Sequence, residues 1–226
     1  MEETILQLVH VTGKKQRNGF QITDVMMQLR EGYIYAIAGE NGAGKTTLLE
    51  LIGREDSRYT GNMIFDGMDL KAEHAKAMEA IGIISEDCLF FEDRNGKENA
   101  AILGDFYENY EKERFFSYCK RFQVPLCTSY INLSRGEKIK WQICFAAARI
   151  CRLYMLDEAT AGMDPVFRKV FFDLLHEIMA QTKACILMTD HNLHEISRQT
   201  DYVAYMENGR LSGWKESMEV EADVWI

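Results

Sequence analysis

Residues 39–47 read Gly39-Glu40-Asn41-Gly42-Ala43-Gly44-Lys45-Thr46-Thr47, the G-x-x-x-x-G-K-T spacing of a loop that cradles phosphate. Glycine lets the main chain come close to an anion where a Cβ would collide. Lys45 offers a point charge to β- and γ-phosphates, and Thr46 offers its hydroxyl to Mg²⁺. The flanks suit that chemistry. Residues 33–38 (YIYAIA) form an apolar run bounded by Gly32 and Gly39, as a buried strand would. Residues 47–52 favour helix, and Gly53 can end it. Strand, glycine loop and helix N-terminus, in that order, aim backbone N–H groups and the positive helix end at phosphate. An ordinary glycine-rich turn needs neither flank.

Three further groupings carry possible chemistry. Leu153-Tyr154-Met155-Leu156 runs into Asp157 and Glu158, and carboxylates at the end of a buried parallel strand face the crevice where α/β sheets bind ligands. Asp157 would hold Mg²⁺, and Glu158 would orient or deprotonate an attacking water; taken alone, the pair also fits a strand-ending acidic turn. Ser134 and Glu137 have capping-box spacing. A cap does not account for Gly136 in the first helical turn, where glycine costs roughly 1 kcal/mol against alanine, whereas a ligand approaching the backbone would. Asp190, His191 and His194 could suggest a metal, but no third ligand cluster supports one, and His194 reads as a surface residue of the next helix.

The elements that must position these groups alternate. Strands are expected at 4–11, 20–29, 33–38, 61–66, 81–85, 152–156, 184–189, 202–207 and 210–214. Helices are expected at 47–52, 71–80, 134–150, 165–180 and 192–199. Alternation of this kind predicts an α/β fold whose mostly parallel sheet is covered on both faces. From about residue 87 to 133 the texture changes to a charged, aromatic insertion. Phe106, Tyr110, Phe115, Tyr118 and Phe122 recur there at helical spacing, which predicts a helix-packing stripe.

Composition bounds the function. A chain of 226 residues can bury a full core as one domain. Its formal net charge of −9 disfavours broad nucleic-acid binding. Six cysteines at 88, 119, 127, 144, 151 and 185 show no zinc spacing and read as small buried thiols of a reducing compartment. The N-terminus lacks a signal core, and no apolar run approaches the ~20 residues that span a bilayer.

The series GENGAGKTT, LSRGEK, YMLDEATAGMD and a lone His191 after ILMTD resembles the ATP-binding cassette (ABC) ATPases over nearly the whole chain. The resemblance implies a P-loop NTPase: one nucleotide-binding domain over 1–226, with a RecA-like core at about 1–86 and 150–226, an antiparallel β subdomain and a helical subdomain at about 87–149. Residues 39–47 then match the Walker A loop, and Asp157 with Glu158 the Walker B pair. Ser134, Arg135, Gly136 and Glu137 match the signature that binds the γ-phosphate of ATP held by a second subunit. Asp164, within residues 161–164, is similar to the D-loop at the dimer interface. His191 matches the histidine that contacts the γ-phosphate and steadies the water.

The chain departs from the family pattern in three respects. Glu86 stands where glutamine is usual; it can still ligate Mg²⁺, but its charge beside the γ-phosphate would slow turnover. Arg135 replaces a glycine and Glu137 a glutamine, as in an export-like branch. No aromatic residue precedes the second strand, where Lys15-Gln16-Arg17 stands; Phe20 is the nearest candidate to stack on adenine, or it is core. The resemblance implies a cytoplasmic ATPase subunit, peripheral on the inner membrane face, that binds ATP and Mg²⁺ as a homodimer or with a close paralogue. It would drive a separate membrane-spanning partner through a groove near 86–97, in export of a drug, antibiotic peptide or similar cargo. The rivals are a soluble cassette ATPase without cargo, which the EKIK tract would suit, and a sensing module that barely hydrolyses, which Glu86 would suit.

Overall fold

The computed structural model describes residues 3–54, 58–86 and 90–220. Strand β1 (Thr4–Gly13) pairs antiparallel with β2 (Val25–Arg30). β2 alternates buried and exposed positions, as in a sheet with one wet face. β3 (Ile34–Ala38) is buried at every residue and leads through the glycine loop into α1 (Lys45–Gly53). β4 (Tyr59–Phe65) and β5 (Met68–Asp69) complete an antiparallel sheet of order β2-β1-β4-β5. α2 (His74–Glu79) then precedes β6 (Ile81–Ile84).

Helices fill the next stretch: α3 (Gly96–Gly104), α4 (Lys112–Arg121), a 3-10 turn (Tyr130–Asn132) and α5 (Arg135–Ala147). Alternation resumes with β7 (Leu153–Leu156), α6 (Pro165–Thr182), β8 (Cys185–Asp190) and α7 (Leu193–Ser197). β9 (Tyr202–Glu207), β10 (Arg210–Leu211), β11 (Lys215–Glu216) and α8 (Ser217–Val220) follow.

The second sheet has the order β10-β9-β3-β8-β7-β6, with β11 on β9. β3, β6, β7, β8 and β9 run parallel. Register aligns their carboxyl ends: Ala38 lies opposite Asp190, Leu156 opposite Met188, and Ile84 opposite Leu156. The loops after β3, β6, β7 and β8 therefore leave the sheet along one edge, where a parallel sheet places its ligands. One core cluster packs the antiparallel sheet and α1 against this sheet, and another joins its opposite face to α4, α5 and α6.

Several expectations need correction. The aromatic stripe is not one helix: the chain breaks between α3 and α4, and Phe106, 71% exposed, lies in the break. Phe115, Tyr118 and Phe122 are buried as expected. α3 had no strong apolar period to announce it. Strand β2 begins at Val25 rather than 20, and the helix expected over 71–80 shortens to α2. Cys119, Cys144, Cys151 and Cys185 are buried, and burial pushes the Cys151 thiol up to about 11. Cys127 is exposed, which corrects its reading as a buried thiol. Cys88, and residues 87–89 of the expected groove, lie outside the described residues.

Trp141 anchors the helical stretch. It is fully buried, stacks on Phe145 at 5.2 Å, and donates from Nε1 to the Gly96 carbonyl at 3.1 Å, tying α5 to α3. Trp141→Ala should lower unfolding free energy by about 3–5 kcal/mol, read from the urea denaturation midpoint. A loss within the ~0.5 kcal/mol of surface changes would contradict this packing.

Candidate functional site

Where β3 ends, the loop must turn sharply into α1. Gly44 makes the turn with φ 113°, and a Cβ there would lie 2.6 Å from Phe20 Cζ. Both facts require glycine. Gly44 has no side chain to cap α1, so the first-turn N–H groups remain open to an external anion. Lys45, 4% exposed, donates to the carbonyls of Gly39 at 2.8 Å and Glu40 at 3.2 Å. Its ammonium also lies 3.4 Å from Glu158 Oε1. Those three oxygens match the three donors of an ammonium.

β8 lies between β3 and β7 and supplies a residue whose role was not read from sequence. Thr189 is fully buried, donates its hydroxyl proton to Asp157 Oδ1 at 2.6 Å, and accepts from the Glu158 N–H at 3.0 Å. One hydroxyl thus holds both carboxylate residues. Glu158 needs the hold, because its backbone sits at φ 45°, a left-handed conformation that a non-glycine side chain rarely adopts. Its carbonyl accepts from Ala161 N at 3.1 Å. The sequence signal was slight, a polar residue near the end of an apolar strand.

A cavity of about 500 Å³ joins these pieces. Asn41, Gly42, Gly44, Lys45, Thr46 and Thr47 line it from the loop, with Asp157 and Glu158 from beyond β7, Glu86 from beyond β6, and Arg135 from α5. Gln16, Asn18 and Phe20 close another side. Phe20 lines this side and is also packed against the core. Gly39, Glu40 and Ala43 shape the loop without lining the cavity. The Thr46 hydroxyl and the Asp157 and Glu86 carboxylates form an oxygen set suited to Mg²⁺, which takes one or two carboxylates and completes its shell from phosphate and water. Among the described residues there is no group of three His, Cys, Asp or Glu side chains placed to hold a metal, so that shell depends on substrate oxygens.

The other candidates stand apart from the cavity. Ser134 and Glu137 form a full capping box: Glu137 Oε2 accepts from Ser134 N–H and O–H, each at 2.8 Å. These bonds pull the Glu137 carboxyl below its ordinary value. Gly136 has ordinary φ, and a Cβ added there would meet nothing within 4 Å. Asp164 caps α6, accepting from Val166 N at 3.1 Å and Phe167 N at 3.0 Å. His191 is exposed, with Nδ1 3.7 Å from Asp190 Oδ1. Asp190 is spoken for by Thr160 Oγ1 at 2.8 Å and Asn192 N at 2.7 Å. His194 is exposed on α7, as read.

Comparisons with known proteins agree with this architecture. A family model described as ABC transporter matches residues 22–161. The ABC transporter ATP-binding protein YtrB of Bacillus subtilis is 28% identical over 202 residues, covering 89% of this chain and 69% of that protein. The methionine import ATP-binding protein MetN of Geobacillus kaustophilus is 28% identical over 208 residues, covering 88% and 61%. Among solved structures, an ATP-binding subunit of an ABC transporter superposes with a TM-score of 0.83 at 23% identity, covering 96% of this chain and 92% of that one. CbiO1 from Clostridium perfringens, part of the ABC transporter complex CbiONQ, gives 0.78 at 24% identity, covering 98% and 92%. The structural likenesses establish the α/β fold.

Thr189→Val keeps the shape but removes both bonds and leaves the Glu158 N–H unpaired. Unfolding free energy should fall by about 1–3 kcal/mol. Phosphate release from ATP should fall about tenfold or more as Glu158 loses its position, measured against the wild type under saturating ATP. Unchanged turnover would show that Glu158 is placed without Thr189.

Proposed function

The chain belongs to the ABC transporter family as an ATP-binding, ATP-hydrolysing subunit, and from that premise we propose how its cavity turns over ATP and what it drives. The observation that carries the reading is the meeting of Lys45, Thr46, Asp157 and Glu158 around one cavity at the loop end of α1. The β- and γ-phosphates take the place of the carbonyls on Lys45 and accept from the open N–H groups of α1. Thr46, Asp157 and Glu86 would hold Mg²⁺, which would offset phosphate charge and polarise the γ-phosphoryl group. Glu158 takes a proton from water as the water oxygen attacks the γ-phosphorus. The bond to the β–γ bridging oxygen then breaks, and ADP and phosphate leave. Gln16, Asn18 and Phe20 receive the nucleobase.

Two copies, identical or close paralogues, form the working unit, with Ser134 and Gly136 of one meeting the γ-phosphate on the other. Support comes from Gly136 itself. Its φ is not positive, and among the described residues nothing lies within 4 Å of a Cβ built there, so the first turn of α5 has room for another molecule to approach its backbone. His191 and Asp164 join the site at the same interface. No helix among the described residues is long and apolar enough to cross a membrane, and in the proposed reading work on cargo passes to a membrane-spanning partner. Export was the expectation from LSRGEK and DEATAGMDP. A methionine import protein is equally similar, so the cassette alone does not set direction, and the proposal is of a motor whose partner sets it.

Glu158→Gln should cut steady-state phosphate release by about 10²–10⁴-fold while ATP still binds; Lys45→Ala should lose ATP binding. A Glu158→Gln chain that turns over ATP normally would remove Glu158 from the chemistry. Affinity purification from membranes should recover a multispan protein, and a ribosome or soluble scaffold as the stable partner would end the transport reading.

A further inference from the structure

Arg135 lies in the stretch expected to meet nucleotide on another copy, yet its side chain points into the cavity of its own chain. Of residues 134–137, only Arg135 lines that cavity. Its Nε pairs with Glu86 Oε1, and its Nη2 donates to the Glu158 carbonyl at 3.3 Å. Lys45 meets the Glu158 carboxylate at 3.4 Å. Two cations therefore converge on Glu158, one at its side chain and one at its backbone.

The fold sets this placement. Arg135 is the first residue of α5, and Gln142, seven positions on, lies on the same helical face. Gln142 is 2% exposed and clamps Ser85 twice, accepting from its N–H at 2.9 Å and donating to its carbonyl at 2.9 Å. Tyr130 OH accepts from the same amide at 3.0 Å. Because Ser85 immediately precedes Glu86, the clamp sets Glu86 over the first turn of α5. Ser134 and Glu137 are committed to each other in the cap, while Arg135 is free of it.

We propose that Arg135 serves the nucleotide of its own chain, exchanging the Glu86 carboxylate for the terminal phosphate of ATP and so releasing Glu86 toward the metal. A guanidinium fork accepts carboxylate and phosphate in the same geometry. The Arg135 and Glu86 side chains are 44% and 57% exposed, and ion pairs of that exposure are weak and readily exchanged. A phosphate with more charge wins the exchange. ADP lacks the terminal phosphate that makes the exchange, so the residue distinguishes ATP from ADP before any second copy arrives. The inference rests on the ATP reading of the cavity.

The test is nucleotide binding by dilute protein shown by light scattering to be monomeric, titrated with Mg²⁺ and either a non-hydrolysable ATP analogue or ADP. Arg135→Ala should weaken the analogue about tenfold or more, as loss of charged hydrogen bonds does, and leave ADP within about twofold. Arg135→Lys, which keeps charge without the fork, should recover part of the loss. An Arg135→Ala monomer that binds both nucleotides like the wild type overturns the proposal. Mixing Lys45→Ala chains with Arg135→Ala chains gives a second readout. The one site that retains Lys45 then lacks Arg135 from its own chain, so with ATP held near the wild-type Kd its ATPase should stay at the level of Arg135→Ala chains alone. Recovery toward half the wild-type rate would place Arg135 across the dimer and overturn the proposal. A wild-type chain that binds neither nucleotide would instead defeat the ATP reading itself.

Discussion

A buried ammonium must be answered inside the protein, and Lys45 is buried to 4% exposure. Its partners come from places far apart in sequence: two carbonyls at the exit of β3 and the Glu158 carboxylate beyond β7. They meet only if β3 and β7 lie close with their carboxyl ends level. The parallel register through β8 provides that alignment, and β8 then stands where its own last residues can act. Thr189 is placed there and secures Asp157 and Glu158 with one hydroxyl. Sheet order and site chemistry are thus one arrangement: a different strand between β3 and β7 would remove the tether from the residue with the strained backbone.

The helical stretch depends on the sheet through α5. Its apolar side buries Trp141 in an aromatic cluster with Phe115 and Phe145, while Gln142 next to it bonds to the end of β6. Adjacent residues on one helix point about 100° apart, so a single element can pack into one layer and reach across to another. A buried amide that makes three hydrogen bonds fixes distance and rotation together. Any tilt of α5 therefore moves the Glu86 segment, and the coupling needs no loop to carry it.

What was legible in the sequence was local. The glycine loop, the apolar strands around it and the paired carboxylates each declare themselves within a few residues, and each stands where the spacing put it. The capping box at Ser134 and Glu137 was read correctly for the same reason. Contacts between distant segments were not legible. Thr189 meets Asp157 across 32 positions, and Gln142 meets Ser85 across 57, and neither pairing has a period or a spacing to reveal it. Phe106 and Tyr110 keep the aromatic spacing of α4 but lie before it, between α3 and α4, and periodicity alone does not mark where a helix begins. The resemblance alone placed Arg135 with its neighbours in the signature, and its pairing with Glu86, far earlier in the chain on another element, had no spacing to reveal it.

The charge of the cavity explains why such an arrangement suits a polyphosphate only together with a cation. Glu86, Asp157 and Glu158 face Lys45 and Arg135, so the walls carry one negative charge more than they neutralise, and a triphosphate adds several. Like charges at this range repel. Lys45 and Arg135 are paired with Glu158 and Glu86, so on the proposed reading an entering phosphate competes with those carboxylates as well as with the carbonyls on Lys45. If nucleotide parts Arg135 from Glu86 as proposed, the clamp of Gln142 on Ser85 ties that change to α5, whose first turn carries Gly136.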